Sequence, residues 1–388
     1  MVISPPCQPP SGSIRMKVTI ERATLLKALS HAQSVVERRN TIPILSNVLM
    51  RADGGTLSLT ATDLDIEILE KVPADIEQPG AATASAVTLF DIVKKLPDGG
   101  QILLETRGET GRLAIESGKS SFQLAILPDQ DFPALTNQSD DGVHFTMPAN
   151  ALRRLIDKTR FAMSQEETRY YLNGIYLHAE LDGGSPSLRA VATDGHRLAR
   201  LDADLPNGAE DIPGVIVPRK AVLELRRLLE DAGDEIEITV SESRIRFFSN
   251  DIQLTSKLID GTFPDYRRVI PDGNDRVLTV DNADFRRAVD RVSTVSADKT
   301  RSVKLSLEDD MLKLLVNNPE AGSATEELSV DYQAEKLDIG FNAKYLLDIA
   351  NQVDGETAVF HFADSASPTV VTDAEDPRAL YVLMPLRV

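Results

Sequence analysis

Apolar and polar positions along the chain follow one order three times. A short alternating stretch opens each round: Val18-Thr19-Ile20, Phe145-Thr146-Met147 and Leu278-Thr279-Val280. Behind each comes an apolar-and-basic run with helical spacing, namely Leu25-Leu26-Lys27-Ala28-Leu29, Leu152-Arg153-Arg154-Leu155-Ile156 and Phe285-Arg286-Arg287-Ala288-Val289. Thr19, Thr146 and Thr279 lie 127 and 133 residues apart, so each repeat is the size of a whole domain. Solenoid units are far shorter. A second helix recurs as Leu89-Phe90-Asp91-Ile92, Val222-Leu223-Glu224-Leu225 and Leu346-Leu347-Asp348-Ile349, with apolar residues flanking an acid each time. A strand and its turn recur at Leu59–Asp63, Ala190–Asp194 and Leu314–Asn318. Period-2 stretches such as Ile236–Val240 and Arg244–Phe248 read as half-buried strands. Turns punctuate them at Pro97-Asp98-Gly99-Gly100 and Asp182-Gly183-Gly184. The expected fold class is α+β, with two helices on antiparallel sheet in each of three domains, 16–142, 143–276 and 277–388. Three equal domains suit a ring or an arc.

Composition narrows the class. A length of 388 residues fits two to three domains, and 42% apolar with 26% charged residues is ordinary for a globular chain. No apolar run approaches the roughly 18 residues of a membrane span. The only cysteine is Cys7, which excludes an internal disulfide and a zinc-thiolate site and fits a reducing cytoplasm. Residues 1–15, with Pro5, Pro6, Pro9 and Pro10 among Ser, Gly and Gln, read as a disordered extension before a natural start at Met16. No function is assigned to them. The net charge of −18 argues against a generally nucleic-acid-binding surface. The helical segments depart from that balance: 21–39 carries +2, 150–161 +3, 219–230 +2 and 284–291 +1. Two readings stay open, ordinary charged helix surfaces or one basic face inside an acidic body.

Catalytic motifs are sparse. Thr193-Asp194-Gly195-His196-Arg197 offers a His flanked by an acid and a base, and a hydrolase using Asp194 and His196 is the enzyme alternative. The other two copies of this strand-turn lack His. Asp63, Asp65 and Glu67 alternate and are expected on one strand face, an arrangement that also suits a divalent ion. Exposed acidic strands are far commoner. There is no phosphate-binding loop, dinucleotide fingerprint or nucleophile elbow. No enzyme, cofactor or metal is expected.

Several segments carry a family resemblance: Arg169-Tyr170-Tyr171-Leu172-Asn173-Gly174, Ala192–Leu198, Val217-Pro218-Arg219-Lys220, Phe263-Pro264-Asp265-Tyr266-Arg267-Arg268 and the ending Tyr381–Val388. From about Met16 onward the chain resembles the bacterial DNA sliding clamps, the beta subunits of DNA polymerase III. The resemblance implies a head-to-tail homodimer closed around duplex DNA, with the helices lining the hole. Contacts to phosphates would make binding sequence-independent and salt-sensitive. Retention would then come from ring closure. The implied partners are polymerase subunits, an ATP-driven clamp loader and other DNA enzymes, all bound through short linear peptides.

By motif match, Arg39, Tyr170, Tyr171, Arg219 and Lys220 are expected to face DNA. Arg219 and Lys220 open a helix against the macrodipole, a mild cost that hints at another reason for their position. The implied peptide pocket comprises Leu172, Thr193, Gly195, His196, Arg197, Leu198, Pro264, Arg268, Val269, Tyr345, Val382, Met384, Pro385, Leu386 and Arg387. An apolar groove with a flexible Met suits many peptides. Ala366 and Pro368 depart from the Val and Ser common in the family, which puts peptide preference there in doubt. The implied dimer contact sets Phe122 near Thr294 and Val295, with Arg112 and Lys119 facing Glu320 and Glu326. Gly322 and Ser323 stand where acids can occur, so apolar packing and sheet continuity are expected to dominate. An open peptide-binding scaffold that does not encircle DNA is the remaining alternative.

Overall fold

A computed structural model describes residues 16–37, 41–107, 111–133, 135, 142–181, 185–296 and 301–387. The extension 1–15 and Arg39 lie outside them. The chain divides into two compact units. The first comprises 1–141, 230–238 and 244–257, and the second 142–229, 239–243 and 258–388.

Six α-helices lie among the described residues: α1 (Arg22–Val35), α2 (Ala86–Lys95), α3 (Ala149–Thr159), α4 (Arg219–Leu228), α5 (Asn282–Ser293) and α6 (Ala343–Ala350). The three opening runs bury the same stripe. Leu25, Ala28, Leu29 and Ala32 in α1 correspond to Leu152, Leu155, Ile156 and Thr159 in α3. Phe285, Ala288, Val289 and Val292 do the same in α5. This is the i, i+3, i+4, i+7 face of an amphipathic helix. A fully buried Leu or Phe side chain contributes about 1.5–3 kcal/mol, so the stripe fixes each helix against its sheet. Caps mark the starts: Asp281 accepts from the Asp284 amide at 2.7 Å, and Asn342 accepts from Lys344 at 2.9 Å.

In the first unit, Asp75–Gln78, Lys17–Glu21, Gln101–Arg107, Arg112–Ser117 and Ser120–Ala125 form one antiparallel sheet. A second sheet runs through Arg244–Ser249, Ile252–Lys257, Ile66–Pro73, Thr56–Thr62, Asn47–Asp53 and Gly80–Ser85. In the second unit, one sheet orders Val215–Pro218, Gly174–Glu180, Ser187–Thr193, Arg197–Asp204, Ala379–Leu383, Thr369–Asp373, Thr357–Phe362 and Arg276–Asp281. The other orders Gly322–Ser329, Met311–Asn318, Ser302–Glu308 and Leu337–Asn342.

Two of these sheets cross between repeats, and they cross alike. Ile66–Pro73 pairs with the closing strand of the second repeat, Ile66 opposite Ser256 and Glu70 opposite Ile252. Arg197–Asp204 pairs with the closing strand of the third, Arg197 opposite Leu383 and Leu201 opposite Ala379. The ladders extend one step at corresponding ends. Lys257 donates to Asp65 at 2.8 Å and Met384 to His196 at 2.9 Å. Lys71 donates to Asp251 at 3.0 Å and Asp202 to Arg378 at 3.2 Å.

The acids Asp63, Asp65 and Glu67 do not share a strand face. Asp63 accepts from the amides of Asp65 and Ile66, closing a turn in which Leu64 has a φ of +80°. Asp65 sits in the turn, and Glu67 is buried, accepting from the Leu135 amide at 2.8 Å. An Asx turn has taken residues that alternation alone assigns to a strand.

His31 ties α1 to both repeats of the first unit. Its Nδ1 lies 2.8 Å from Glu70 and its Nε2 3.3 Å from Asp231, which Lys27 also meets at 2.9 Å. Burial lowers the imidazole pKa, but the hydrogen bond to Glu70 and the charges of Glu70 and Asp231 outweigh it and leave the pKa raised. Protonated His31 therefore stabilises the fold below the unfolded value of about 6.5, and that contribution disappears as pH rises through the folded value. The thermal midpoint of the first unit should fall between about pH 6 and pH 9, with His31→Gln removing part of that slope. Scanning calorimetry across this range checks it, and an unchanged slope in the variant would count against it.

Candidate functional site

Residues of the expected pocket converge within the second unit. Thr193-Asp194-Gly195-His196 is a tight turn between Ser187–Thr193 and Arg197–Asp204. The Thr193 hydroxyl accepts from the Gly195 amide at 3.1 Å, and Asp194 accepts from His196 at 2.9 Å and Arg197 at 3.0 Å. Gly195 has a φ of +86°, the left-handed region in which a Cβ is strained. Asp194 is thus occupied with its own turn and with the Arg197 Nε at 3.1 Å, and the His196 ring instead lies over Tyr345 with centroids 6.2 Å apart.

Arg197 is the keystone of this side. Its buried guanidinium lies 4.5 Å from the Tyr345 centroid and 5.1 Å from that of Phe161. It donates to Asp348 and to the Phe161 carbonyl, the latter at 2.7 Å. The cation is therefore met by two carboxylates, a carbonyl and two aromatic rings. Burial, followed by the charge of Asp194, raises the pKa of the Tyr345 hydroxyl.

The floor is apolar. Leu172, Leu198 and Val382 are buried together with Val191, Ile216, Phe263 and Tyr266. Around it stand exposed groups: Val269 at 47%, Met384 at 40%, and Gly195, His196, Pro264, Arg268 and Arg387. Thr193, Tyr345, Pro385 and Leu386 are half-buried. The tail is tied down at two points, Met384 to His196 as above and Leu386 to the Gly340 carbonyl at 2.8 Å. Arg268 pairs with Asp265 at 2.9 Å. The result is an apolar base with an exposed Met and Val at its lip and basic residues beside them. Phe161, Asp348 and Arg169, which reaches the Asp194 carbonyl at 3.3 Å, were not anticipated. Asp348 had a signal, the acid flanked by apolar residues in the repeated second helix.

Of the residues expected to face DNA, Tyr170 is 54% exposed and sits edge-on to half-buried Tyr171 at 5.7 Å. Arg219 and Lys220 are half-buried at the start of α4, where the Arg219 amide donates to Asn173 at 2.8 Å. Several other helix cations are engaged within the fold. Arg226 meets Asp157 at 2.6 Å, Arg154 meets Asp376 at 2.6 Å and Lys158 meets Asp354 at 2.7 Å.

Of the residues expected at a dimer contact, Phe122 and Glu326 lie on edge strands, Ser120–Ala125 and Gly322–Ser329. In the first unit Phe122 is 38% exposed on the edge strand Ser120–Ala125, with Arg112 and Lys119 exposed nearby in sequence. In the second unit Thr294 and Glu320 are exposed, Val295 is half-buried, and Glu326 is gripped by both Nε and Nη2 of Arg291.

Comparison with known proteins identifies the lineage. Family models for the N-terminal, central and C-terminal domains of the DNA polymerase III beta subunit match residues 16–136, 146–265 and 267–387. The chain belongs to the DNA polymerase III beta-subunit family. It is similar to the beta sliding clamp of Caulobacter vibrioides, 57% identical over 375 residues that cover 96% of this chain and 100% of that one. The solved Caulobacter crescentus beta sliding clamp with PEG bound matches at TM-score 0.94 and 57% identity, covering 97% of this chain and 100% of that chain. A Bartonella birtlesii sliding clamp bound to griselimycin matches at TM-score 0.93 and 51% identity, covering 96% and 100%. The fold is the three-domain clamp, and the function is that of a sliding clamp, a replication processivity factor and not a catalyst.

Truncating Arg197 leaves Asp194 and Asp348 without their cation and removes the group packed on Phe161 and Tyr345. Arg197→Ala should cost about 3 kcal/mol. The thermal midpoint of the second unit should then fall by about 6 °C or more. Arg197→Lys should recover only part, because an ammonium keeps the charge and loses the planar stack. Calorimetry of both variants tests this, and a midpoint unchanged in Arg197→Ala would refute the keystone role.

Proposed function

We propose that the chain closes head to tail with a second copy around duplex DNA in the cytoplasm, and that Leu172, Thr193, Gly195, His196, Arg197, Leu198, Pro264, Arg268, Val269, Tyr345, Val382, Met384, Pro385, Leu386 and Arg387 dock peptides from polymerase subunits, clamp loader and other DNA enzymes. The repeats are assigned to 16–142, 143–276 and 277–388, with 1–15 outside the clamp. No helix among the described residues is long and apolar enough to cross a membrane.

The observation that carries the ring is the repeated strand junction. The opposed residues at the third position of each strand pair are Ile68 with Leu254 and Ala199 with Tyr381. All four are buried. The corresponding strands that remain are the two sheet edges, Gly322–Ser329 and Ser120–Ala125. The same register sets Ala324 against Phe122 of a second copy, and Phe122 is the exposed member of that series. Val295 repeats the pattern: its counterparts Val35 and Ala162, at the same distance from their helix starts, are fully buried. Two such contacts, one at each end of the chain, close a dimer in which neither of these two strands stays an open edge.

Peptide docking rests on the exposed Met384 and Val269 over a buried apolar floor. Met adapts to varied side chains, and an apolar groove beside free polar groups suits short linear segments. Tyr170, Tyr171, Arg219, Lys220 and Arg39 are assigned to DNA, where contacts to phosphate give affinity without sequence choice.

Loading onto a nicked circular plasmid with loader and ATP, followed by their removal and a single cut of the circle, tests encirclement. Release after linearisation is the expected result. Retention on linear DNA would mean adhesive binding and would favour the open scaffold instead.

A further inference from the structure

The first helix of every repeat carries a cation at its sixth and tenth residues: Lys27 and His31 in α1, Arg154 and Lys158 in α3, Arg287 and Arg291 in α5. In the first two helices these cations bind the turn that follows the second helix of the next repeat. Lys27 and His31 meet Asp231, the third residue after α4, at 2.9 and 3.3 Å. Arg154 and Lys158 meet Asp354, the fourth residue after α6, at 3.8 and 2.7 Å. Each contact stands beside one of the two inter-repeat strand junctions.

The third set has no next repeat in the chain. Arg287 and Arg291 are 63% and 58% exposed. The counterpart acid is Asp98, the third residue after α2, whose side chain is 92% exposed. One further correspondence fixes the arrangement. His31 is held from its own repeat by Glu70, the fifth residue of its strand, while its other nitrogen meets Asp231. Arg291 is held from its own repeat by Glu326, again the fifth residue of the strand, through Nε and Nη2. A guanidinium has five donors, so Arg291 keeps Glu326 and still has Nη1 to offer. Asp98 likewise meets Arg22 through Oδ1 and retains its second oxygen.

Resting on the head-to-tail reading above, we propose that Arg287 and Arg291 of one copy clasp Asp98 of a second copy, a helix-to-turn ion contact that completes a set of three. Glu326 then acts as the residue that orients Arg291, rather than as the direct partner of Arg112 and Lys119. Such a contact matches charges at the rim, so it selects register and partner more than it adds adhesion. The apolar pairing of Phe122 and the strand ladder remain the bulk of the interface.

Charge reversal tests it in the full-length dimer. Arg287→Glu/Arg291→Glu and Asp98→Lys should each weaken dimerisation by about ten-fold or more at low salt, read by subunit exchange on dilution. Mixing the two variants should restore wild-type affinity. In the mixed ring one junction is Glu against Lys and the other is the native Arg against Asp, so both are matched. Rescue by mixing also answers the concern that either variant is misfolded. Wild-type affinity in the single variants, or a mixture no tighter than its parts, overturns the contact. A wild-type chain that stays monomeric at micromolar concentration overturns the head-to-tail reading itself, and this contact with it.

Discussion

Antiparallel strand pairing between repeats is the constraint on which the rest depends. A strand at a sheet edge presents unpaired amides and carbonyls, and this fold meets that liability twice within one chain by laying the closing strand of one repeat along the fourth strand of another. Leu254 against Ile68 and Tyr381 against Ala199 are buried there, with the ladder continued by hydrogen bonds at both ends. Every repeat has one donor edge and one acceptor edge, so three repeats in one chain leave one of each unused. The proposed second copy answers this count and not any special surface patch.

The proposed groove depends on the same ladder. Met384 is held where its amide reaches the His196 carbonyl, one step beyond the last register pair of the junction. Arg197 begins the strand that receives the chain's closing strand, and its guanidinium locks α6 and the Phe161 turn to that strand. The residues proposed for peptide docking thus overlap with those of the strand junction at Arg197, Leu198 and Val382. The exposed apolar groups are few, a Met and a Val, and the cluster of Leu172, Leu198 and Val382 beside them is buried.

Much of the helix layout was legible in the chain, because the i, i+3, i+4, i+7 stripe leaves its period in the sequence and appears three times. Register was not. The partners Ile68 and Leu254 are far apart in sequence, and alternating hydrophobicity says which face is buried but never which strand lies alongside. Arg197 was marked by motif, whereas Asp348, 151 residues away, showed only as an acid between apolar neighbours. Asp63 and Asp65 were misread as strand residues because side-chain capping of a turn competes with alternation and leaves no periodic trace. The basic helices held a subtler confusion. The net-positive segments 150–161 and 219–230 leave a basic face open as one reading, yet Arg154, Lys158 and Arg226 within them are ion-paired inside the fold. Those cations serve the fold itself, Arg154 and Lys158 at the junction with the third repeat and Arg226 within the second.

The most direct test of the ring is its third strand pairing. The shared register sets Ser121 of one copy opposite Thr325 of the next, both exposed in the single chain. Directly opposed residues of antiparallel strands stand about 4.5–5.5 Å apart at Cα, within disulfide reach. Ser121→Cys with Thr325→Cys, in a Cys7→Ser background, should oxidise to a covalently closed ring of two chains that survives denaturant and opens on reduction. Absence of the cross-link, or equal cross-linking when Thr325→Cys is replaced by Ala324→Cys, would contradict the shared junction.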